Sequence, residues 1–252
     1  MLQGTRIAVV VPAHNEALLI AQVLQSMPSF VDHIVVVDDA STDDTAAIAQ
    51  QQAELGAQQH SVVRVRVVRH AENRGVGAAI VTGYRLAVAA GAQVVAVMAG
   101  DGQMDPNDLP GLLQPVIDRQ ADYVKGVRLT HPDAGRMPVV RRLGTRALGW
   151  ATGAALGLPS LSDSQCGYTA ISAHAISQID LHGLWPRFGY PNDLLGQLRL
   201  RGLRIGEVQV RPVYGSERSE LKPRHAIVIA YLIARGAWRV RCSSTHKALH
   251  TP

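Results

Sequence analysis

Aromatic residues are scarce in this 252-residue chain: Phe, Trp and Tyr together supply 4% of it. A hydrophobic content of 47% still gives ample core material, which must then come from Ala, Val, Leu and Ile. The composition excludes disordered, collagen-like and coiled-coil classes. Cysteine is nearly absent. Cys166 and Cys242 lie far apart, form neither a disulfide framework nor a metal knuckle, and are expected as reduced thiols in a cytoplasmic protein. No apolar stretch approaches the roughly 18 residues of a membrane span; the longest late one, 226–234, is bracketed by Arg224 and Arg235. The first apolar run, 7–11, stops at Pro12, short of a secretory leader. A soluble or peripheral protein is expected.

Glycine is missing where a dinucleotide-binding fold requires it. Val11-Pro12-Ala13-His14-Asn15-Glu16 follows the first apolar run and contains none. Gly75-Val76-Gly77-Ala78-Ala79-Ile80 has two of that fingerprint's glycines, but Ile80 fills the third position and the segment starts six residues beyond its strand. Lys and Arg outnumber Asp and Glu, 25 to 20, which points to an anionic partner: phosphate, nucleic acid or acidic lipid.

The β-branched runs 7–11, 34–37, 62–68 and 94–98 read as strands, three of them apolar almost throughout, as in a parallel sheet covered on both faces. Between them, 16–27, 43–55 and 76–90 carry helical spacing, and Ser41 and Thr42 are candidate caps for the second helix. This alternation predicts right-handed crossovers and a ligand crevice at the carboxyl ends of the strands. Further on, 107–119, 139–156 and 191–201 read as helices and 123–125, 167–172 and 205–210 as strands. Residues 127–138 read as a mobile loop, and 225–240 as a basic amphipathic segment. With no repeat, low-complexity tract or linker, one unit is expected.

Polar residues collect at three strand ends: Pro12, Asn15 and Glu16; Asp38, Asp39 and Ser41; Gly100, Asp101, Gln103 and Asp105. Loops on a rigid scaffold carry function, and three such clusters at corresponding ends mark a candidate site. His14 reads as structural, and the other nine histidines show no metal-ligand spacing.

The strings Val-Val-Pro-Ala-His-Asn-Glu (10–16), Val-Val-Asp-Asp-Ala-Ser-Thr-Asp (36–43), Asn-Arg-Gly-Val-Gly-Ala-Ala (73–79), Gly-Asp-Gly-Gln-Met-Asp-Pro (100–106) and Asp-Ser-Gln-Cys-Gly-Tyr (163–168) stand in the order seen in family 2 glycosyltransferases. The chain resembles the group within them that makes dolichol- or polyprenyl-phosphate mannose or glucose, over about residues 5 to 222. The resemblance implies an α/β fold of the GT-A type over 1–223, a Rossmann-like, mostly parallel sheet flanked by helices, with 224–252 as a basic amphipathic part of the same unit.

The resemblance also implies roles. Pro12, Asn15, Glu16, Asp38, Asp39 and Gly100 match nucleotide-binding positions, where carboxylates suit ribose hydroxyls and base N–H groups. Asp101 and Gln103 match ligands of Mg²⁺ or Mn²⁺ on the diphosphate. Arg141, Arg142 and Arg218 match positions that approach phosphates, with Arg128 and Arg136 as weaker candidates. Asp163 and Asp193 match carboxylates near the sugar and acceptor, although Tyr-Pro-Asn-Asp departs from the usual Tyr-Glu-Thr-Asp. Another departure is Ala99, which replaces the first aspartate of the family's Asp-X-Asp. Mg²⁺ usually takes only one or two protein carboxylates, so Asp101, Gln103 and two phosphate oxygens would still supply four ligands.

The activity implied is inverting transfer of a hexose from GDP-mannose or UDP-glucose to a polyprenyl phosphate, not to nucleic acid, at the inner face of the plasma membrane. A soluble or hydroxyl acceptor, or a non-catalytic nucleotide-sugar-binding protein, is the alternative. Arg235, Arg239 and Arg241, interleaved with Ile227, Ile229, Leu232 and Trp238, suit an anionic bilayer; a helix packed on the sheet or a homo-oligomer interface fits the pattern equally.

Overall fold

The computed structural model describes residues 1–59, 64–213 and 223–249. In chain order they form β1 (Ile7–Ala13), α1 (Ile20–Gln25), β2 (His33–Asp38), α2 (Thr45–Gln59), β3 (Val65–Arg69), α3 (Val76–Ala89), β4 (Val94–Val97), α4 (Leu109–Ile117), β5 (Tyr123–Val127), α5 (Val139–Leu156), β6 (Thr169–Ser172), α6 (Ala173–Gln178), α7 (Tyr190–Leu200), β7 (Ile205–Gln209) and α8 (Pro223–Leu249). The seven strands make one sheet in the order β3-β2-β1-β4-β6-β5-β7. β6 runs antiparallel to both its neighbours and every other pairing is parallel.

The apolar runs are continuous because both faces of the sheet are covered. Side chains alternate across a strand: Ile7, Val9, Val11 and Ala13 join one core with α1, α2 and α4, while Ala8 and Val10 join a second with α3, α6 and α7. β2 and β4 divide in the same way. α3 lies so close to β1 that a Cβ on Gly83 would overlap the Val10 side chain.

Three local expectations change. The helix expected over 16–27 shrinks to α1, because Asn15 has φ 59° and the N–H groups of Asn15, Glu16 and Ala17 bond to Ser41, Thr45 and Asp43 side chains. Neither Ser41 nor Thr42 starts α2; Asp43 accepts the N–H of Thr45 at 3.0 Å. The segment expected as a mobile loop, 127–138, is built in: Val127, Leu129 and Met137 form a small core, Pro132–Arg136 is a 3-10 helix, and Asp133 pairs with Arg211 at 3.2 Å. Of the strand expected over 62–68, Val62 and Val63 lie outside the described residues.

Candidate active site

Because β1, β2 and β4 are neighbours and parallel, their carboxyl ends bring three loops to one edge. The loops bond to one another. Asn15 donates its N–H to Ser41 Oγ at 2.9 Å and accepts the N–H of Thr42 at 2.8 Å. Glu16 N–H reaches Thr45 Oγ1 at 2.7 Å, Asp39 N–H reaches Ala13 O at 2.8 Å, and Gly100 N–H reaches Pro12 O at 3.0 Å. At Gly100 a Cβ would stand 3.1 Å from Ala13 Cβ and 3.2 Å from Ile20 Cδ1. The close approach of the loops after β1 and β4 therefore favours glycine there.

Asp38 and Asp39 are buried and their carboxylates are engaged. Asp38 takes the Ser41 hydroxyl and N–H, and Arg69 Nε lies 3.2 Å from its Oδ2. Asp39 accepts the N–H groups of Arg74 at 2.9 Å and Gly75 at 2.6 Å, and meets His70 Nδ1 at 2.7 Å. Burial alone would raise this carboxyl, but those N–H groups and the His70 ring hold it below the ordinary carboxylate value. The aspartates thus fix the loops around this edge of the sheet. The two glycines set aside as a dinucleotide fingerprint also have a packing cause. Gly75 sits at φ 96°, and a Cβ on Gly75 or Gly77 would strike the carbonyl of Pro186 or Trp185.

The loop after β4 carries Asp101 and Gln103, both half-buried, with Gln103 N–H on Asp101 Oδ1 at 3.0 Å. Among the described residues no three His, Cys, Asp or Glu side chains gather as a metal cage. One carboxylate and one amide in a single loop instead fit Mg²⁺ or Mn²⁺ that brings phosphate and water ligands with it.

Across the sheet, β5 and the turn before β6 carry a buried charge cluster. Arg128 clamps Asp163 through Nε at 2.9 Å and Nη2 at 3.1 Å, and Asp163 also accepts the N–H groups of Gln165 and Cys166, each at 3.1 Å. Burial pushes the Asp163 carboxyl up; the Arg128 charge and hydrogen bond, and then Lys125, outweigh it and hold it down. Lys125 is fully buried, donates to Cys166 O, and has its ammonium pKa lowered by that burial. Glu207 accepts the Ser162 N–H at 2.9 Å and hydroxyl at 2.8 Å. Arg141 and Arg142 are half-buried in the first turn of α5. Arg218 and the Arg136 side chain lie outside the described residues.

Asp193 sits elsewhere, between α7 and α8. Its Oδ2 accepts Trp185 N–H at 2.8 Å, and its Oδ1 meets Arg235 at 2.5 Å and Arg239 at 4.0 Å. The two helices cross at Gly196 and Gly236, where an ideal Cβ on Gly196 would lie 3.4 Å from Gly236 Cα. Of the readings that 225–240 left open, the packed helix accounts for part of its pattern: Ile229 and Leu232 are buried and Arg235 and Arg239 turn toward Asp193, while Ile227 and Trp238 stay exposed.

The structure therefore brings Pro12, Asn15, Glu16, Asp38, Asp39, Gly100, Asp101 and Gln103 to one edge, pairs Asp163 with Arg128, and sets Asp193 in the helix packing. Lys125, His70 and Glu207 were missed. A lone lysine in the apolar strand Tyr-Val-Lys-Gly-Val was the one available signal; the partners of His70 and Glu207 are remote in sequence.

The model of the family described as "Glycosyl transferase family 2" matches residues 8–176. The UDP-N-acetylglucosamine–dolichyl-phosphate N-acetylglucosaminyltransferase of Methanococcus voltae is 30% identical over 216 residues, covering 82% of this chain and 86% of that protein. The undecaprenyl-phosphate mannosyltransferase of Micrococcus luteus is 31% identical over 213 residues, covering 81% and 82%. Among solved structures, glucosyl-3-phosphoglycerate synthase from Mycobacterium tuberculosis, in complex with Mn²⁺, UDP-glucose and phosphoglyceric acid, superposes with a TM-score of 0.67 at 25% identity, covering 92% of this chain and 80% of that one.

Proposed function

The chain belongs to glycosyl transferase family 2, and from that membership we propose that it transfers a hexose, with inversion, from a nucleotide sugar to a polyprenyl- or dolichyl-type phosphate. The donor's nucleoside lies on the loops that Asp38 and Asp39 hold, beside Pro12, Asn15, Glu16 and Gly100. Asp101 and Gln103 would hold a divalent ion, Mg²⁺ or Mn²⁺, which neutralises charge on the departing diphosphate. Arg141 and Arg142 bind the acceptor phosphate, since guanidinium groups engage phosphate at two points.

One observation carries the choice of a phosphate acceptor. Both carboxylates suited to act as a general base, Asp163 and Asp193, are buried in contact with arginines. A hydroxyl acceptor needs a base to take its proton. A phosphate monoester, with a second pKa of about 6, is already largely ionised at neutral pH. The relatives named for dolichyl and undecaprenyl phosphate support the same choice. A soluble phosphorylated acceptor is the second reading, favoured by the likeness to the phosphoglycerate-bound synthase.

Nucleoside diphosphate release from GDP-mannose, UDP-glucose and UDP-N-acetylglucosamine, with and without Mn²⁺, tests these readings. Release that requires both the metal and a polyprenyl phosphate is the expected result. Release driven by phosphoglycerate instead moves the assignment to the second reading. Donor binding without release under any condition makes the chain a nucleotide-sugar-binding protein, in line with Ala99.

A further inference from the structure

The helix α5 is built inside out. An amphipathic surface helix turns its apolar stripe to the core, yet the buried face of α5 holds Thr145, Gly149, Thr152, Gly153 and Leu156. Two of these are small for a reason: a Cβ on Gly149 or Gly153 would overlap the carbonyl of Ser162 or Leu158. Four of its six large apolar residues face outward. Val139, Val140, Leu143 and Trp150 are exposed, Val140 by 84% and Trp150 by 75%. At 3.6 residues per turn these four fall within an arc of about 100°. A contiguous exposed apolar face of this kind marks an interaction surface.

Charge selects the partner. Neither α5 nor α8, which packs against it, contains an Asp or Glu; α5 carries three arginines and α8 four arginines and a lysine, of which Arg235 and Arg239 face Asp193. A two-fold contact through α5 between copies of this chain would set Arg142 and Arg146 against basic helices of the same kind. An anionic lipid surface complements both the stripe and the arginines.

The stripe also adjoins the acceptor side. Its first two residues precede Arg141 and Arg142. A cavity of about 480 Å³, lined by Leu129, Arg146, Trp150, Pro159, Leu161 and Ser162, opens beside its other end. Ser162 is the residue before Asp163.

We propose that the outward face of α5, with Val139, Val140, Leu143 and Trp150, docks on an anionic lipid bilayer and so presents Arg141 and Arg142 at the depth of a lipid-linked phosphate. The clause about phosphate rests on the acceptor reading above; the docking face does not. Val140→Glu combined with Leu143→Glu tests it in the full chain, both side chains being exposed in the free protein. The wild type should co-sediment with phosphatidylcholine vesicles that contain phosphatidylglycerol, and less with phosphatidylcholine alone. The double variant, with an unchanged thermal unfolding midpoint, should bind the anionic vesicles at least about tenfold more weakly. Transfer to polyprenyl phosphate embedded in those vesicles should fall in parallel, while transfer to a short, water-soluble isoprenyl phosphate holds. Equal pelleting of the two proteins, or no pelleting of the wild type, overturns the proposal. So does a wild-type dimer that the variant converts to monomer, which would assign the face to a second copy. Stripe-dependent pelleting with no transfer to any lipid phosphate removes the acceptor reading and leaves the docking surface standing.

Discussion

At the donor edge, as we call the sheet edge proposed to hold the nucleotide sugar, the loops are held mainly by side-chain oxygens that accept main-chain N–H groups: Ser41 from Asn15, Thr45 from Glu16, and Asp39 from Arg74 and Gly75. On the opposite side, between β5, α7 and α8, the fastenings are charge on charge, Arg128 with Asp163 and Arg235 with Asp193. Only proline removes a main-chain N–H, so the first arrangement spreads the holding over many small bonds. A buried ion pair concentrates it in two side chains, each of which leaves the other uncompensated when lost. The donor edge is therefore expected to tolerate single substitutions in stability while losing chemistry, and the opposite side to do the reverse.

Arg128→Ala should strain this contrast most. Removing one partner of a buried pair typically costs about 3–5 kcal/mol, and the lower end is expected because Lys125 and two N–H groups still face Asp163. The sign of its pH dependence follows from the lowered Asp163 carboxyl. In the wild type that carboxylate stabilises the fold at neutral pH, and the contribution begins to fade as pH falls below about 3.9, the ordinary Asp value. In the variant the orphaned carboxylate takes up its proton at higher pH than in the wild type. The stability gap in urea unfolding should then be largest near neutrality and narrow in acid; a gap that widens would reverse the assignment.

Asp101→Ala should show the complementary behaviour. Losing a group that stabilises transition-state charge typically costs about 10²–10³ in turnover, while a half-exposed loop side chain changes stability by about 0.5 kcal/mol or less. Diphosphate release and thermal unfolding of the same preparation measure both. Full turnover would remove Asp101 from the ion site.

The contrast also marks what the sequence made legible. The donor edge was readable because each polar cluster directly follows an apolar strand, and parallel pairing carries adjacent strand ends to one place. The helices α3, α5 and α7 were readable to within a residue or two from their apolar spacing. Less came through where a partner lies far along the chain. Nothing local distinguishes Asp193 as a carboxylate for a sugar from Asp193 as the anchor of Arg235, 42 positions later. The segment 127–138 looked mobile because its polar residues are visible in sequence, whereas its restraint by Arg211 and its three-residue core are not. The sequence offers no reason for the glycines of 75–77, because their packing cause, the backbone of Trp185 and Pro186, is a tertiary contact.

Gly77→Ala probes the junction between the two regions. The new methyl would overlap the Trp185 carbonyl, and Trp185 is itself held by Asp193. Overpacking of this kind typically costs about 1–3 kcal/mol. Ala78 N–H donates to Pro186 O at 3.0 Å, so any shift of the 185–186 backbone also pulls on the start of α3, next to the Gly75 N–H that Asp39 holds. A weaker affinity for nucleoside diphosphate should accompany the loss of stability. Loss of stability with unchanged affinity would show that the two regions are mechanically separate.

The smallest effect is expected at Asp43, where the donor edge is fastened from an exposed position. One carboxylate oxygen accepts the N–H and the hydroxyl of Thr45 at the first turn of α2, and the other accepts the N–H of Ala17 at 3.1 Å. Asp43 is exposed and Thr45 buried; Asp43→Ala opens the space of an exposed side chain to water, which can replace the lost acceptor, so the cost should be that of a helix cap, about 1 kcal/mol. Thr45 keeps its bond to Glu16 in the variant, which bounds the damage to the loop. Urea unfolding of Asp43→Ala and Asp43→Asn separates the components: Asn retains an acceptor for Thr45 N–H and should recover most of the loss. Recovery by Asn of none of it would mean that the charge, rather than the hydrogen bonds, secures the start of α2, and the donor edge would then depend on charge as the opposite side does.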